Sequence, residues 1–301
     1  LLLELHRGGI SLRNHPTGGL EVRLWLPAEP IRVSEVDPSL ASMGWGENAV
    51  EVGQSVTALG DIDGDGHLDV VRTDVWYRNV NGDGSHWEQI PIGPNTPPPA
   101  DFQPPFAFDA TKAVVCDMNG DGRQDIVFTD AEIPGGKVWW MENVDGDGRR
   151  WVRHDLPQAE GPRRGAYHSL QVVDIDGDGK LEIVLAEGES NPGRLVWCKP
   201  GEWELNLLND GLFHPHSLEI ADFSGDGRPD IFVAEMGLGR NPDPEMMIYV
   251  NQGGGEFEKF TVQRGIPTHE AKVADLTGDG KPDIVGKPYQ PESHIDVWFN
   301  E

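Results

Sequence analysis

The length, composition and charge of the chain exclude several classes of protein. Its 301 residues include 38 glycines, 24 prolines and only 37% apolar residues, which indicates many short strands joined by turns and not a helical bundle. The net charge of −27 argues against nucleic acid or an anionic membrane surface as a partner. No apolar run reaches roughly 18 residues, so no membrane insertion is expected.

Residues 1–50 and residues 51–301 are predicted to be two different parts of the chain. The first part contains four strand-like pieces separated by glycine and proline: LLLELH, ISLRN, LEVRLWL and PIRVSEV. The second contains a nine-residue acidic pattern that recurs five times, at spacings of 56, 57, 48 and 53 residues. A period near 50 residues is typical of a β-propeller, in which each repeat forms one four-stranded blade. The copies, named loops 1 to 5, are DIDGDGHLD from Asp61, DMNGDGRQD from Asp117, DIDGDGKLE from Asp174, DFSGDGRPD from Asp222 and DLTGDGKPD from Asp275.

The segments on either side of each loop predict the four strands, A to D, of a blade. An alternating segment, such as HSLEIAD ending at Asp222, runs into the loop, and a short apolar run follows it. An aromatic segment such as VWWMEN predicts strand C. The spacing of these aromatics favours packing between blades over a sugar-stacking surface. In the first four repeats strand D is expected to open with Trp87, Trp151, Trp203 or Phe257.

The number of blades depends on how the last repeat is completed. That repeat ends at Glu301 directly after its strand C, so its outer strand is expected to come from elsewhere in the chain. Residues 1–50 can supply it, and their other pieces can form a degenerate blade. The predicted fold is therefore an all-β propeller of six four-stranded blades, with five blades as the alternative.

Each loop presents a set of oxygen ligands for Ca²⁺. In the pattern DxDGDGxxD the side chains at positions 1, 3, 5 and 9 converge, glycine at position 6 permits the tight turn, and the carbonyl at position 7 adds an oxygen. Hard oxygen ligands in this number suit Ca²⁺ better than Mg²⁺ or zinc. The predicted ligands of about five Ca²⁺ ions are Asp61, Asp63, Asp65, Asp69, Asp117, Asn119, Asp121, Asp125, Asp174, Asp176, Asp178, Glu182, Asp222, Ser224, Asp226, Asp230, Asp275, Thr277, Asp279 and Asp283.

Two other interpretations of the loops are weaker. An EF-hand needs a bidentate Glu at position 12 and flanking helices, and none of the five loops has Glu there. A plain Asp-Gly turn needs no acid at position 9. The turn interpretation does fit two related stretches with Trp at position 9, NVNGDGSHW from Asn79 and NVDGDGRRW from Asn143, which are expected to join strands C and D.

The loops and their flanking strands resemble FG-GAP/VCBS repeats, which build integrin α-chain propellers and many bacterial secreted proteins. The resemblance covers roughly residues 50 to 301 and implies a calcium-binding propeller that is secreted, periplasmic or extracellular. It also implies that the calcium loops lie on one face and that ligands bind at the other. The activity stays open, because the family includes adhesion proteins, lectin-like modules and carbohydrate-active lyases or dehydratases.

Histidines are predicted to line the mouth of the ring opposite the loops. Strand A enters from that face, and the residues six positions before each loop are Ser55, Thr111, His168, His216 and His269. We name the last three the histidine face. Strand B returns to the same face, so five positions past the last loop acid we expect Asp74, Asp130, Glu187, Glu235 and Pro288 to lie nearby.

Histidine and carboxylate side chains from neighbouring blades suit acid–base chemistry or a divalent metal such as Zn²⁺. The arrangement favours a site for a polysaccharide or oligosaccharide that undergoes β-elimination, in a lyase or a dehydratase. The predicted site residues are His168, His216, His269, Glu187, Glu235, Tyr167, Arg240, Lys287 and Tyr289, with His214 and Glu270 around them.

Alternatives to catalysis stay open at this face. The propeller can be a non-catalytic lectin or adhesion module that binds a glycan or a protein, and each histidine can simply hydrogen-bond the next blade. No Ser/His/Asp motif, P-loop or GxGxxG fingerprint supports a hydrolase, kinase or dehydrogenase. Cys116 and Cys198 lie in strands of different repeats and are expected to be free thiols.

Overall fold

A computed structural model of the chain provides the fold. It describes residues 9–14, 20–25, 56–72, 75–93, 112–129, 138–156, 165–237, 241–288 and 294–301. Across these ranges every regular element is a β-strand. They include no helix that is long and apolar enough to span a membrane.

The described strands follow the predicted order of strand, acidic loop and strand. Two N-terminal strands, β1 (Gly9–Asn14) and β2 (Leu20–Trp25), pair with each other in antiparallel fashion. Blade 1 contains β3 (Val56–Gly60), β4 (Asp69–Arg72), β5 (Val75–Asn79) and β6 (Trp87–Pro91), and blade 2 contains β7 (Lys112–Cys116), β8 (Asp125–Thr129), β9 (Val138–Asn143) and β10 (Trp151–Asp155). Blade 3 contains β11 (Ser169–Val173), β12 (Glu182–Ala186), β13 (Gly193–Cys198) and β14 (Asn206–Leu212). Blade 4 contains β15 (Pro215–Ala221), β16 (Asp230–Glu235), β17 (Glu245–Gly253) and β18 (Glu256–Arg264), and blade 5 contains β19 (Glu270–Ala274), β20 (Asp283–Lys287) and β21 (Asp296–Trp298).

The described part of the chain is a β-propeller of five blades, which confirms the five-blade alternative. The prediction of six blades is wrong there, because β1 and β2 pair only with each other and form no four-stranded sheet. Blade 5 has three described strands in hydrogen-bonded order. The hairpin lies beside it, with β2 next to β21, at the edge where the other blades carry a fourth strand.

Strand A of each blade forms the inner layer of the ring. The strands β3, β7, β11, β15 and β19 lie next to one another in that order. Side chains join these neighbours: the Ser169 hydroxyl donates to the His216 carbonyl at 2.6 Å, and the Gln171 amide donates to the Leu218 carbonyl at 3.1 Å. The first residues of strand A in blades 3 to 5 therefore meet at one end of the ring.

The core lies between blades, as the aromatic pattern predicted. Trp76 is fully buried, packs in one cluster with Phe128 of blade 2, and donates its indole N–H to the Gly148 carbonyl at 2.9 Å. Gly148 has φ +67°, and a Cβ there would lie 2.6 Å from the Trp76 ring, so only glycine fits this contact. The stretch around Gly148 joins β9 to β10, which confirms it as a turn between strands C and D.

Three of the four aromatic residues predicted in strand D lie in that strand, and the fourth does not. Strand D of blade 3 begins at Asn206, because Trp203 lies in a turn with φ 55°. Trp87, Trp151 and Phe257 lie in β6, β10 and β18, as predicted. Both cysteines are free, with Cys198 buried and Cys116 partly buried.

Candidate functional site

The backbone of each acidic loop is organised by its first aspartate. In loop 1 the Asp61 carboxylate accepts the N–H of Asp65 at 3.0 Å and the N–H of Gly66 at 2.9 Å. Gly66 has φ +88°, a conformation that favours glycine, so position 6 of the loop is glycine for a backbone reason. The bond from position 6 to position 1 recurs in the other four loops, at Gly122, Gly179, Gly227 and Gly280.

The acid at position 9 is buried in all five loops, and in four of them it ties the loop to strand C. In blade 4 the Asp230 carboxylate accepts the N–H of Ser224 at 2.9 Å and the N–H of Asn251 at 2.8 Å. Burial raises the pKa of Asp69 and of Asp125 to about 6. The position is therefore a structural connection as well as a candidate metal ligand. A corresponding pair of bonds, in which the loop donor is the N–H of position 2 and not of position 3, is made by Asp69, Asp125 and Asp283.

Blade 3 departs from this arrangement. The register of β12 with β13 pairs Ile183 with Cys198, so Pro200 takes the place that Asn143 and Asn251 have in their blades. Proline has no N–H to donate. The Glu182 carboxylate accepts the Ile175 N–H at 2.8 Å through Oε2, and its buried Oε1 has no hydrogen-bond partner among the described residues.

In two of the five loops three carboxylates lie close enough together to be candidate ligands of one hard cation. In loop 1 one oxygen each from Asp61, Asp63 and Asp69 lies within 4.8 Å of the other two, and Asp174, Asp176 and Glu182 do the same in loop 3. These donors are all oxygens, as Ca²⁺ requires, so the residues fit the predicted ion.

Basic side chains already bind several of these carboxylates. Lys199 Nζ lies 2.5 Å from Asp176 Oδ2 and 2.6 Å from Asp178 Oδ2, and Arg78 pairs with Asp63 and Asp65 of loop 1. Calcium would have to compete with these ion pairs. The contacts show that the loops attract positive charge.

The histidine face is assembled as a stack of three imidazole rings. The ring centroids of His168 and His216 lie 3.5 Å apart, and those of His216 and His269 lie 4.2 Å apart. The three rings come from the starts of strand A in three consecutive blades. Because His168 stands six residues before the first residue of loop 3, the histidine face and the loops lie about 20 Å apart along the strand.

A carboxylate that the sequence interpretation missed, Glu189, completes this group. Glu189 Oε1 lies 3.2 Å from His216 Nε2, and one ligand atom each from His168, Glu189 and His216 lies within 4.8 Å of the other two. The contact with His216 holds the pKa of Glu189 below its ordinary value. Burial, with the nearby His216, lowers the pKa of His168 to about 3 and that of His269 to about 4, so both rings are neutral at pH 7.

The two glutamates predicted beside the histidines instead accept hydrogen bonds from other side chains and from backbone N–H groups. Glu187 is fully buried and pairs with Arg194, with Oε1 2.6 Å from Arg194 Nη2, and it also accepts the Gly165 N–H. Glu235 accepts N–H groups from Phe213 and Glu245 and the side-chain amide of Asn241. Both carboxylates therefore have structural partners, and the structure does not bring them into the imidazole stack.

The chain path after β12 explains why Glu189 takes the place predicted for Glu187. The strand ends at Ala186, and the Gly188 N–H bonds back to the Ala186 carbonyl, which starts a turn. A Cβ on Gly188 would lie 2.7 Å from His168 Cβ, so glycine lets this turn pass close over the histidine. The only sequence signal was a second acid two residues beyond the predicted one.

The remaining predicted residues occupy three kinds of position. Tyr167 is buried in the core between blades 2 and 3, and its hydroxyl accepts from Arg194 at 3.4 Å. Lys287 lies beside the histidine face, 3.7 Å from Glu270, and His214 contacts the Gly188 carbonyl at 3.2 Å. The predicted residues that lie outside the described part of the chain are Arg240, Tyr289, Ser55, Thr111, Asp74 and Asp130.

Comparison with known proteins supports the repeat and goes no further. Two segments, residues 117–185 and 222–286, match the FG-GAP-like repeat family. A search of curated proteins found no match to this chain. The matched segments begin at the first residues of loops 2 and 4 and end in strand B of the following blade, in β12 and β20. These two matches and the five-bladed fold support a β-propeller built from FG-GAP-like repeats.

Proposed function

We propose that this protein is a calcium-stabilised propeller that binds and processes a hydroxylated or acidic carbohydrate at the histidine face. The reaction class would be β-elimination, catalysed by a lyase or a dehydratase. The observation that carries the proposal is the stack of His168, His216 and His269 with Glu189 at 3.2 Å from His216. The five acidic loops would bind calcium and support the scaffold from the opposite face.

The chemistry of the group suits proton removal next to a carboxyl or carbonyl group. A base takes the proton from the α-carbon, the electron pair of that bond forms a double bond, and the group on the β-carbon leaves. Neutral His269 would be the base, and Glu189 would hold His216 beside it. Lys112 and Lys287, whose charges act on His168 and His269, would attract an acidic sugar and stabilise negative charge that develops during the reaction.

A turnover assay with an oligosaccharide panel tests this function. The unsaturated product of an acidic sugar absorbs ultraviolet light, so its formation can be followed continuously. Glu189→Gln should lower the rate at least about 100-fold with little change in melting temperature. The matched control is Glu258→Gln, the same change at an exposed position of β18, which should leave the rate unaffected. Full activity in Glu189→Gln would contradict the proposed role.

A non-catalytic glycan- or protein-binding module is the second candidate. It is favoured by the contact between His216 Nδ1 and the His269 carbonyl at 3.1 Å, which shows that the histidines also join neighbouring blades. In that case glycan-array binding would be present, would persist in Glu189→Gln, and no unsaturated product would form. In both cases we expect a secreted, periplasmic or extracellular protein, where free calcium is high enough to fill weak sites.

A further inference from the structure

We propose that His168, Glu189 and His216 form a centre for one divalent transition metal ion, of the Zn²⁺ class, that is separate from the calcium loops. The inference deepens the proposed function, since it concerns the same site. Metal binding can nevertheless be measured without any carbohydrate. The two proposals can therefore fail independently.

The donor set distinguishes this centre from the acidic loops. Two imidazole nitrogens and one carboxylate oxygen, all within 4.8 Å of one another, come from β15, the residue before β11, and the turn after β12. Two histidines and a glutamate are a ligand set of catalytic zinc sites, which leave a fourth position for water or substrate. The loops offer only oxygens and suit Ca²⁺ instead.

Both ring nitrogens of His216 face oxygen atoms that can accept hydrogen bonds. Its Nδ1 lies 3.1 Å from the His269 carbonyl, which only accepts, so Nδ1 must carry a proton. In a neutral ring Nε2 then has a lone pair, and that lone pair faces the Glu189 carboxylate at 3.2 Å. One metal ion could therefore be bound by His216 Nε2 and the Glu189 carboxylate together.

The neighbouring His168 supplies the second nitrogen of the group. Its ring centroid lies 3.5 Å from that of His216. The buried Nδ1 of His168 has no hydrogen-bond partner among the described residues, which leaves a polar atom unsatisfied at the centre of the group. A metal ion would bind a neutral nitrogen of each ring and the carboxylate together.

His269 then acts as a positioning residue through its backbone. Its carbonyl holds the proton on His216 Nδ1, which directs Nε2 toward Glu189. Partners that fix the tautomer of a metal-binding histidine in this way are a regular part of such sites. The three stacked histidines therefore have two different roles: two bind and one orients.

Cobalt titration of metal-stripped protein refilled with excess Ca²⁺ tests the proposal. Co²⁺ reports its own ligand set through visible absorption, and calcium keeps the acidic loops occupied. We expect one equivalent to bind with nitrogen coordination and Zn²⁺ to displace it. The variants His168→Gln and Glu189→Gln should each weaken binding about 10- to 100-fold or more, and both lie at positions that leave His216 in place.

The outer strands of blade 2 provide matched controls. His154 Nε2 lies 2.7 Å from Glu142 Oε2, a histidine–glutamate pair without a second histidine ligand. His154→Gln and Glu142→Gln should leave Co²⁺ binding unchanged, and thermal melts should show all four variants folded. Absence of a nitrogen-bound Co²⁺ equivalent, or equal Co²⁺ affinity in Glu189→Gln and the wild type, would overturn the proposal. Metal binding without turnover would overturn only the carbohydrate function, and turnover by a protein that binds neither Co²⁺ nor Zn²⁺ at nitrogen would overturn only the metal centre.

Discussion

The two ends of the inner strands are built on opposite plans. At one end the acidic loop is repeated five times, and in every copy the N–H of position 6 donates to the acid at position 1. In four of the five blades a strand C N–H also donates to the acid at position 9. At the other end three consecutive blades supply histidine, and a single turn supplies Glu189. Repetition of a unit is what a scaffold requires, whereas a group that breaks the repeat is a candidate for function.

At the loop face, blade 3 likewise departs from the pattern of the other blades. Asn143, Asn251 and Asn300, at the end of strand C, donate to a carbonyl at the start of the loop in the preceding blade, at 3.0, 2.7 and 3.1 Å. Blade 3 has Pro200 at this position, so that bond to blade 2 is absent. The same blade carries His168 and Glu189. The departure from the repeat and the candidate site therefore lie at opposite ends of one blade.

Removal of calcium should produce the largest change in stability. It tests whether the acidic loops, and not the histidine face, stabilise the fold. A ligand that binds only the folded state contributes about 2.7 kcal/mol per site at 100 times its Kd, and five loops add together. We expect EDTA to lower the melting temperature by at least about 10 °C, measured by calorimetry. Calcium should restore it and an equal concentration of Mg²⁺ should not. An unchanged melting temperature in EDTA would show that the acidic loops do not stabilise the fold by binding calcium.

Replacement of a buried loop acid should have the next largest effect and would separate its structural role from calcium binding. Asp230→Ala leaves the N–H groups of Ser224 and Asn251 without their acceptor. We expect a loss of about 2 to 4 kcal/mol in the free energy of unfolding, measured with urea in EDTA. Asp226→Ala, at an exposed position of the same loop, should change it by less than about 0.5 kcal/mol under those conditions. Equal losses would show that burial at position 9 has no special role.

The smallest net effect should be the change of stability with pH in protein free of calcium and other metals. The buried loop acids and the histidines change the free energy of unfolding in opposite directions as the pH rises. The pKa of Asp69 is raised to about 6, so the folded state holds a proton that the unfolded state has lost, and stability falls as the pH rises toward 6. The pKa of His168 is lowered to about 3, so the unfolded state binds a proton that the folded state refuses, and stability falls as the pH drops below about 6.5.

Single variants should reveal the two opposite pH dependences of the free energy of unfolding. In urea unfolding series in EDTA, Asp69→Asn should leave a stability that rises with pH between about 4 and 6.5, and His168→Gln should leave one that falls over the same range. The wild type should be flatter than either variant. Parallel pH profiles for the two variants would contradict the assignment of opposite electrostatics to the two faces.

The repeat unit was predictable from sequence because its determinants are local. Glycine at position 6, the acid at position 9 and the alternating strands act within about ten residues, and the period of about 50 residues indicated blades before any coordinates. The alignment of His168, His216 and His269 followed from the same logic, since each stands six residues before the first residue of its loop. Their stacking at 3.5 and 4.2 Å agrees with that expectation.

Only the tertiary structure decided which side chains meet. The N-terminal strands pair with each other as a hairpin, so they add no sixth blade to the described ring. Arg194 binds Glu187, and the turn after β12 brings Glu189 to His216 instead. Strand patterns report which face a residue takes. The partner of a buried carboxylate depends on the competition among all nearby donors, and in this protein those donors come from residues that the repeat does not specify.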